Sequence, residues 1–226
     1  MSAAVQKYLW DGQWFARGIT DDNSVFGISE DKEGKIYLNP QSWAFLTHTA
    51  NAKQKQSILN AINAELLTPF GVMMLAPSYT KMREDVGRLT QKFPGVSENG
   101  SVYNHAAVFY AFSLYKIGEA QMAFNVLKTM IPSLEDAEKK GQLPIFIPNY
   151  YRGAYFQFPE QAGRSSQLFN TGTIAWFYRC LVEELCGLKG NGGELNVAPQ
   201  LPEEIDKISG ERKIQGAIFN FTIVKA

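Results

Sequence analysis

The stretch SVYNHAAVFYAFSLYKIGEAQMAFNVLKTMIP, residues 101–132, decides the fold class. Its first half is strongly apolar and predicts a helix from about Ser101 to Ile117, which Gly118 ends. A second helix follows at once, from about Glu119 to Met130, and stops before Pro132. Two helices joined by so short a link form an antiparallel hairpin. The sequence therefore predicts a mainly α-helical protein built from hairpins.

Outside this hairpin, the chain continues the same plan. GKIYLNPQSWA leads into a helix that contains Trp43, and Asn51 is a suitable N-cap for a helix that Pro69 stops. A further buried helix is expected from Thr171 to Leu185. Residues 8–18 read as two short extended pieces or a turn. Beyond KGNGGE, residues 189–194, the segments LNVAPQLP and GAIFNFTIV predict strands, so we expect a small β part at the C-terminal end.

Charge and composition exclude several classes of protein. Lys and Arg total 22, as do Asp and Glu, so no overall charge attracts nucleic acid or an anionic membrane. No apolar run approaches the ~20 residues of a membrane span, and the first residues show no signal-peptide core. Cys180 and Cys186 are six apart in one predicted helix, which favours reduced thiols. We expect a soluble, cytoplasmic protein without a nucleic-acid or membrane partner.

Familiar catalytic motifs do not occur in this sequence: it has no Walker loop, no G-x-G-x-x-G after a strand, no H-E-x-x-H and no G-x-S-x-G. With two histidines in the chain, a His-rich metal site is excluded. Many aromatic residues instead lie beside Gly, Asn, Gln or Arg, as in IPNYYRGAYFQF. Such interleaving suits a cleft that stacks on sugar rings and hydrogen-bonds to their hydroxyl groups.

Two polar residues, Glu98 and His105, are seven apart and would face the same way if one helix began near Glu98. A helix that lines a cleft could present both to a ligand. The alternative is a helix-capping glutamate and a core histidine bonded to the backbone, and spacing alone favours this alternative.

Two further stretches carry candidate sites for anions. In AGRSSQLFNTGTIAW, Asn170 or Thr171 would cap the buried helix with Gly172 in its first turn, and such a helix end can bind an anion. An ordinary helix cap is the alternative. In DVGRLTQKFPG, Arg88 and Lys92 are four apart and could bind a carboxylate. A solvated basic pair is the alternative there.

Taken in order, DGQWFARG, GKIYLNPQSWA, PGVSENGSVYNHA, IPNYYRGA, AGRSSQLFNTGTIAW and VAPQLP resemble the C-terminal part of glycoside hydrolase family 94. This family comprises inverting phosphorylases of cellobiose, chitobiose and cellobionic acid, and the resemblance covers nearly the whole chain. ENGSVYNHA and IPNYYRGA are most similar to the branch that acts on cellobionic acid. The resemblance implies the later helices of an (α/α)6 barrel in residues 1–188, then all or part of a C-terminal β domain in residues 189–226.

The resemblance also implies roles for the candidate residues. His105, Thr171 and Gly172 match the family's phosphate-binding residues, and Glu98 matches a substrate-site acid. Arg88 and Lys92 would read the carboxylate of an aldonic acid. Inorganic phosphate would be a substrate, and no metal or other cofactor is implied.

The resemblance leaves one catalytic group outside the chain. The family's general acid is an aspartate in an Asp-Trp-Asn-Asp-like motif, which we expect upstream of DGQWFARG, because Asp11, Asp21 and Asp22 match the segment after it. The partner would then be the N-terminal portion of the barrel, with a homodimer possible for the complete enzyme. We expect the isolated chain to be inactive. The alternative is a catalytically silent fragment that at most binds carbohydrate or phosphate.

Overall fold

A computed structural model describes residues 1–141, 146–166, 172–214 and 216–225. Helices dominate these residues, as predicted. The described α-helices are α1 (Ser2–Leu9), α2 (Leu38–Leu46), α3 (Ala52–Glu65), α4 (Asn104–Lys116), α5 (Ala120–Met130), α6 (Leu134–Lys140) and α7 (Thr173–Arg179). A π-helical segment, Cys180–Leu185, continues α7.

Helix α4 is the centre of the main core. Its sequence is apolar around nearly its whole circumference, so it can be buried on every side. It packs against α2, α5, α7 and the π-helical segment. Helix α5 is instead amphipathic, because its buried residues Ala123, Val126, Leu127 and Met130 follow a spacing of three or four. The predicted hairpin of α4 and α5 is thereby confirmed.

The N-terminal ends of three helices, α2, α4 and α7, lie close together. The N–H of Leu38, at the start of α2, donates to the Met74 carbonyl (2.9 Å), and the N–H of Met74 donates to the Ser101 carbonyl just before α4 (2.9 Å). Gly172, which precedes α7, lies against His105, the second residue of α4. The first residues of these three helices therefore lie near one another on one surface, which we call the gathering face.

The described strands are short until the C-terminal part. They are β1 (Gly18–Ile19), β2 (Val25–Phe26), β3 (Ile36–Tyr37), β4 (Leu67–Thr68), β5 (Gly71–Val72), β6 (Leu75–Ala76), β7 (Val102–Tyr103), β8 (Tyr150–Tyr151), β9 (Ser165–Ser166), β10 (Leu188–Asn191), β11 (Glu194–Val197), β12 (Lys207–Ile214) and β13 (Ala217–Val224). Their antiparallel pairings are β1–β2, β3–β6, β4–β5, β7–β8–β9, β10–β11 and β12–β13. The pairs β3–β6 and β7–β8 brace the loops that lead into α2 and α4.

The two C-terminal hairpins confirm the predicted strands and dock on the helices. The backbone joins them to the π-helical segment through Gln200 N–H to the Leu185 carbonyl (3.0 Å). Arg212 donates to the Tyr178 hydroxyl (2.7 Å), and Glu204 pairs with Lys128 of α5. The division of the chain into domains at residue 188 stays a prediction.

Several local predictions hold and others are wrong. Asn51 caps α3, as predicted, and both cysteines are free thiols. Helix α4 begins at Asn104, three residues later than predicted, because β7 occupies the preceding residues. Helix α7 begins at Thr173, whereas Asn170 and Thr171, the two predicted caps, lie outside the described residues. Within the described ranges, no helix combines the length and apolar character needed to cross a bilayer.

Candidate active site

The gathering face carries an open cavity of about 380 Å³. We call it the cationic cavity; its lining comprises Arg17, Tyr37, Asn39, Met74, Arg88, Leu89, Lys92 and Glu98. It brings together the three residues that we predicted for substrate binding, Arg88, Lys92 and Glu98. It adds Arg17, Tyr37 and Asn39, which lie in the motifs DGQWFARG and GKIYLNPQSWA but were not singled out there.

The loop before β7 positions the three predicted residues. Arg88 opens a 3-10 helical turn, Arg88–Gln91, and Lys92 follows as its C-terminal cap. Gly87 starts this turn with a φ of 94°, a conformation that glycine adopts readily. Glu98 lies farther along the loop, after Ser97, which has a φ of 50°. The helix that would have placed Glu98 and His105 on one face does not form, since α4 begins only at Asn104 and β7 separates the two residues.

The cavity is electropositive. Of its described lining residues, Arg17, Arg88 and Lys92 carry positive charge and Glu98 carries negative charge. Glu98 is paired with Lys92 (Oε2 to Nζ, 2.5 Å). Burial alone raises the pKa of Glu98, but the contact with Lys92 and the charge of Arg88 outweigh it, so this pKa is below its ordinary value. Glu98 is thus ionised near neutral pH and neutralises one cation, and the remaining positive charge suits an anionic ligand.

Two polar residues at the start of α2 form the other wall. The Tyr37 hydroxyl lies 2.8 Å from the Tyr79 hydroxyl, and burial raises the pKa of Tyr37, so it stays neutral. Arg17 lies over the Tyr37 ring at 5.7 Å. The buried Oδ1 of Asn39 has no hydrogen-bond partner among the described residues. A hydroxyl group of a bound sugar could donate to this oxygen.

His105 and Gly172, two of the three residues predicted to bind phosphate, lie against each other. A methyl group on Gly172 would lie 2.7 Å from Nε2 of His105, so the two residues are in contact. The imidazole stacks on Phe109 with ring centroids 4.8 Å apart, and Trp176 makes an edge contact with Phe109 at 4.7 Å. Burial lowers the pKa of His105, so at neutral pH the ring is uncharged and retains one N–H donor. Thr171, predicted as the third member, lies outside the described residues.

The contact with His105, and not the backbone conformation, favours glycine at position 172. Its φ and ψ of −79° and −6° are open to any residue, yet a side chain would collide with the imidazole. The buried Oγ1 of the next residue, Thr173, has no hydrogen-bond partner among the described residues. The start of α7 therefore places Gly172, which has no side chain, beside the imidazole of His105.

Two aspartates near the N-terminus, Asp11 and Asp22, accept hydrogen bonds that hold the local backbone. Asp11 accepts hydrogen bonds from the backbone N–H groups of Gln13, Trp14 and Ser29 (2.8, 2.9 and 2.8 Å). Asp22 is bonded by Thr20 and Ser24 in an exposed turn. Neither lines the cationic cavity. In the part of the chain that the structure describes, no group of three His, Cys, Asp or Glu side chains could hold a metal ion.

The chain belongs to the glycosyl hydrolase 94 superfamily: the model of this family's catalytic domain matches residues 1–187. The predicted family is thereby confirmed. Among its relatives, the chain is 55% identical over 225 residues to the cellobionic acid phosphorylase of Neurospora crassa, which covers 98% of this chain and 28% of that protein.

Two bacterial relatives, both from Paenibacillus borealis, extend the comparison. The chain is 34% identical over 226 residues to a 3-O-beta-D-glucopyranosyl-beta-D-glucuronide phosphorylase, covering 99% of the chain and 29% of that protein. It is 29% identical over 222 residues to a solabiose phosphorylase, covering 97% and 28% respectively. The chain thus spans less than a third of the length of these relatives, all of which are disaccharide phosphorylases.

Proposed function

We propose that this chain forms the phosphate and acceptor subsites of an inverting disaccharide phosphorylase, a glycosyltransferase that cleaves a β-linked disaccharide of the cellobionic acid type. The observation that carries the proposal is the charge of the cationic cavity, where Arg17, Arg88 and Lys92 face a single described carboxylate, that of Glu98. A sugar acid would supply the missing negative charge, and guanidinium and ammonium groups pair strongly with carboxylates. Cellobiose is neutral, so it would gain less binding energy from these cations.

The names of two of these relatives support the acidic acceptor. One is a phosphorylase of cellobionic acid and the other of a glucuronide, and both names denote sugars with a carboxylate. In this chain, Glu98 would hold Lys92 in place and accept hydrogen bonds from acceptor hydroxyl groups. Tyr37 and Asn39 would line the sugar ring.

His105, Thr171 and Gly172 would bind inorganic phosphate. The imidazole N–H and the backbone at the start of α7 provide donors fixed in advance, which is the arrangement that stabilises charge in a transition state. Phosphate oxygen then attacks the anomeric carbon as the glycosidic C–O bond breaks, and a carboxylic acid protonates the leaving oxygen. The products are a sugar 1-phosphate and the free acceptor, and no cofactor takes part. We assign that acid to the aspartate of an upstream Asp-Trp-Asn-Asp-like motif.

The same proposal assigns the helices to an (α/α)6 barrel. Helices α2, α4 and α7 start at one face and would be inner helices, while α3 and α5 would belong to the outer layer. Residues 1–188 would be the barrel portion and residues 189–226 the β domain. An active site at the gathering face follows from this arrangement, because the first residues of the inner helices meet there.

A second hypothesis is a silent member of the family that binds carbohydrate or phosphate without catalysis. The specific observation in its favour is that this sequence contains no Asp-Trp-Asn-Asp-like motif. The two hypotheses differ in whether a supplied N-terminal portion restores turnover.

The test is phosphate-dependent release of sugar 1-phosphate from cellobionic acid, cellobiose and diacetylchitobiose, with the chain alone and with a separately supplied N-terminal portion. We expect activity only in the combined sample, greatest on cellobionic acid. Arg88→Ala should lower the ratio of kcat/KM for cellobionic acid over cellobiose about tenfold to a hundredfold, the range of a charge-assisted bond. The matched control is Lys81→Ala, an exposed cation outside the cavity, which should leave the ratio unchanged.

Either of two results would contradict the proposal. A folded, combined sample that releases no sugar phosphate would establish the silent hypothesis. Equal turnover of cellobionic acid and cellobiose would remove the acidic acceptor while leaving the phosphorylase.

A further inference from the structure

Three of the four described charged residues that line the cationic cavity come from one segment of the chain. Arg88, Lys92 and Glu98 all lie in the segment 80–98, which we call the acceptor loop; its regular structure is limited, among described elements, to the turn Arg88–Gln91. Phe93 in this loop is 82% exposed, so much of the loop faces water. A loop of this kind needs fixed points if its charges are to hold one geometry.

Asn99, the residue that follows the acceptor loop, supplies such a fixed point. Its side chain is fully buried, with 0% exposure. Oδ1 accepts from the N–H of Tyr79 (2.8 Å), and Nδ2 donates to the carbonyl of Tyr79 (2.8 Å) and to that of Lys92 (2.7 Å). Both amide donors are therefore used, and one side chain ties the beginning of the loop to Lys92.

Gln157 makes a similar contact one residue earlier and provides a natural comparison. Its Oε1 accepts from the N–H of Ser78 (2.6 Å), and its Nε2 donates to the Ser78 carbonyl (3.1 Å). Gln157 thus holds the same strand of backbone as Asn99 does. The difference between the two amides is the bond to Lys92, which only Asn99 makes in the described structure.

The chain around Asn99 is packed so closely that the amide has little freedom. Gly100 has a φ of 78°, and a methyl group there would lie 1.9 Å from Oγ of Ser78. A methyl group on Gly153 would lie 1.9 Å from the Gly100 carbonyl oxygen. The backbone next to Asn99 is therefore held between Ser78 and Gly153. The side-chain amide of Asn99 transmits that fixed position to Tyr79 and Lys92.

Loss of this amide has a specific consequence for the cavity. Without it, the carbonyl of Lys92 and both backbone groups of Tyr79 lose their partners, and buried polar groups do not stay unpaired. The loop would move toward water to satisfy them, which displaces the Lys92–Glu98 pair and the adjacent Arg88. The phosphate site, His105 with Gly172, is held by α4 and α7 and would stay in place.

We propose that Asn99 is a positioning residue that fixes the acceptor loop and thereby sets the preference of the site for an acidic acceptor. The part that concerns preference rests on the proposed function. Asn99 touches no substrate in this scheme, and it acts through the backbone of Lys92. The sequence motif Glu98-Asn99-Gly100 then combines a ligand-facing acid, an internal clamp and the turn that packs them.

The test compares Asn99→Ala with Gln157→Ala in two measurements. The first is amide hydrogen exchange in residues 88–92 of the chain, which reports loop opening without any substrate. The second is the ratio of kcat/KM for cellobionic acid over cellobiose in the combined sample. We expect Asn99→Ala to speed exchange in residues 88–92 and to lower the ratio about tenfold, the size of one charge-assisted contact. Gln157→Ala should change neither the exchange rate nor the kcat/KM ratio, even if it lowers the melting temperature as much as Asn99→Ala does.

If Asn99→Ala does not fold, Asn99→Asp replaces it, since it keeps the volume and the acceptor for Tyr79 N–H but loses both donors. Equal exchange rates and equal ratios in the Asn99 and Gln157 variants would overturn the proposal and make Asn99 merely structural. A wild-type sample without preference for cellobionic acid would refute the acidic acceptor instead. In that case the exchange comparison alone still decides whether Asn99 holds the loop.

Discussion

The imidazole of His105 lies against Gly172 across the junction of α4 and α7. A methyl group on Gly172 would lie 2.7 Å from Nε2 of His105, closer than carbon and nitrogen atoms approach without displacement. Residues 67 positions apart in the sequence, from 105 to 172, therefore form one small site. Its geometry depends on how the two helices pack.

Gly172→Ala should disturb this site by displacing the imidazole. The backbone at Gly172 tolerates alanine, so we expect the effect to come from overpacking, at about 1–3 kcal/mol of unfolding free energy. The KM for phosphate in the combined sample should rise several-fold. Urea denaturation and initial rates at varied phosphate concentration measure the two effects.

The matched control is Gly190→Ala in β10, where an added methyl group would meet no atom within 4 Å. It should leave both quantities nearly unchanged. A Gly172→Ala protein with wild-type KM for phosphate would argue against a phosphate site at this junction.

His105 should titrate below the ordinary histidine pKa of about 6.5, because burial disfavours its charged form. As the pH falls through 6.5, the unfolded chain takes up a proton first, so the folded protein loses stability between pH 6.5 and the lower pKa of His105. His105→Gln should remove this part of the pH dependence. Urea midpoints at several pH values between 7.5 and 5 would measure it.

Phosphate should raise the pKa of His105 if it binds there, since a nearby anion favours the imidazolium form. NMR titration with and without inorganic phosphate tests this directly, and His48→Gln leaves a single histidine resonance to follow. A pKa of His105 that does not respond to phosphate would contradict its predicted role.

Glu184 should contribute to stability by joining a helix to the C-terminal hairpins. Its carboxylate is fully buried and contacts Lys116 of α4 (2.7 Å) and Lys189 of β10 (2.8 Å). The two lysines are 33% and 30% exposed and can regain water, so Glu184→Gln should cost about 1–3 kcal/mol, less than a fully buried pair. Thermal or urea denaturation checks this.

The neighbouring change Glu183→Gln is its control. Glu183 pairs with Arg179 at an i, i+4 spacing on the same helix, and such partly exposed pairs contribute about 0.5 kcal/mol or less. Equal losses of unfolding free energy in the two variants would show that buried Glu184 with its two lysines contributes no more than a partly exposed ion pair.

Asn51→Ala should cost about 1 kcal/mol by removing the N-cap of α3. Asn51 and Gln54 form a reciprocal capping box, in which each side chain accepts from the other residue's backbone N–H (3.0 Å in both cases). Asn60→Ala, an exposed change on the same helix, should cost less than about 0.5 kcal/mol. Equal melting temperatures for the Asn51 and Asn60 variants would contradict the role of the cap.

Local sequence patterns predicted the longer helices well, because an apolar face that repeats every three or four residues is written in the segment itself. The hairpin of α4 and α5, the helix cap at Asn51 and the final strands are examples. The short helices α1 and α6 were missed. No residue of α1 is fully buried, and its apolar contact with the core comes from the partly buried Val5 and Leu9, while Leu134 in α6 is 82% exposed.

The residues of the candidate site also fall into two groups, those identified from the sequence and those that the tertiary structure added. The sequence by itself determined which residue types the family's motifs carry and therefore named Arg88, Lys92, Glu98, His105 and Gly172. Only the tertiary structure decided that Arg17 and Asn39 join the first three in one cavity, and that β7 separates Glu98 from His105. The physical reason is that helix formation depends on neighbours three or four residues away, whereas a cavity forms where loops distant in sequence are brought together by helix packing.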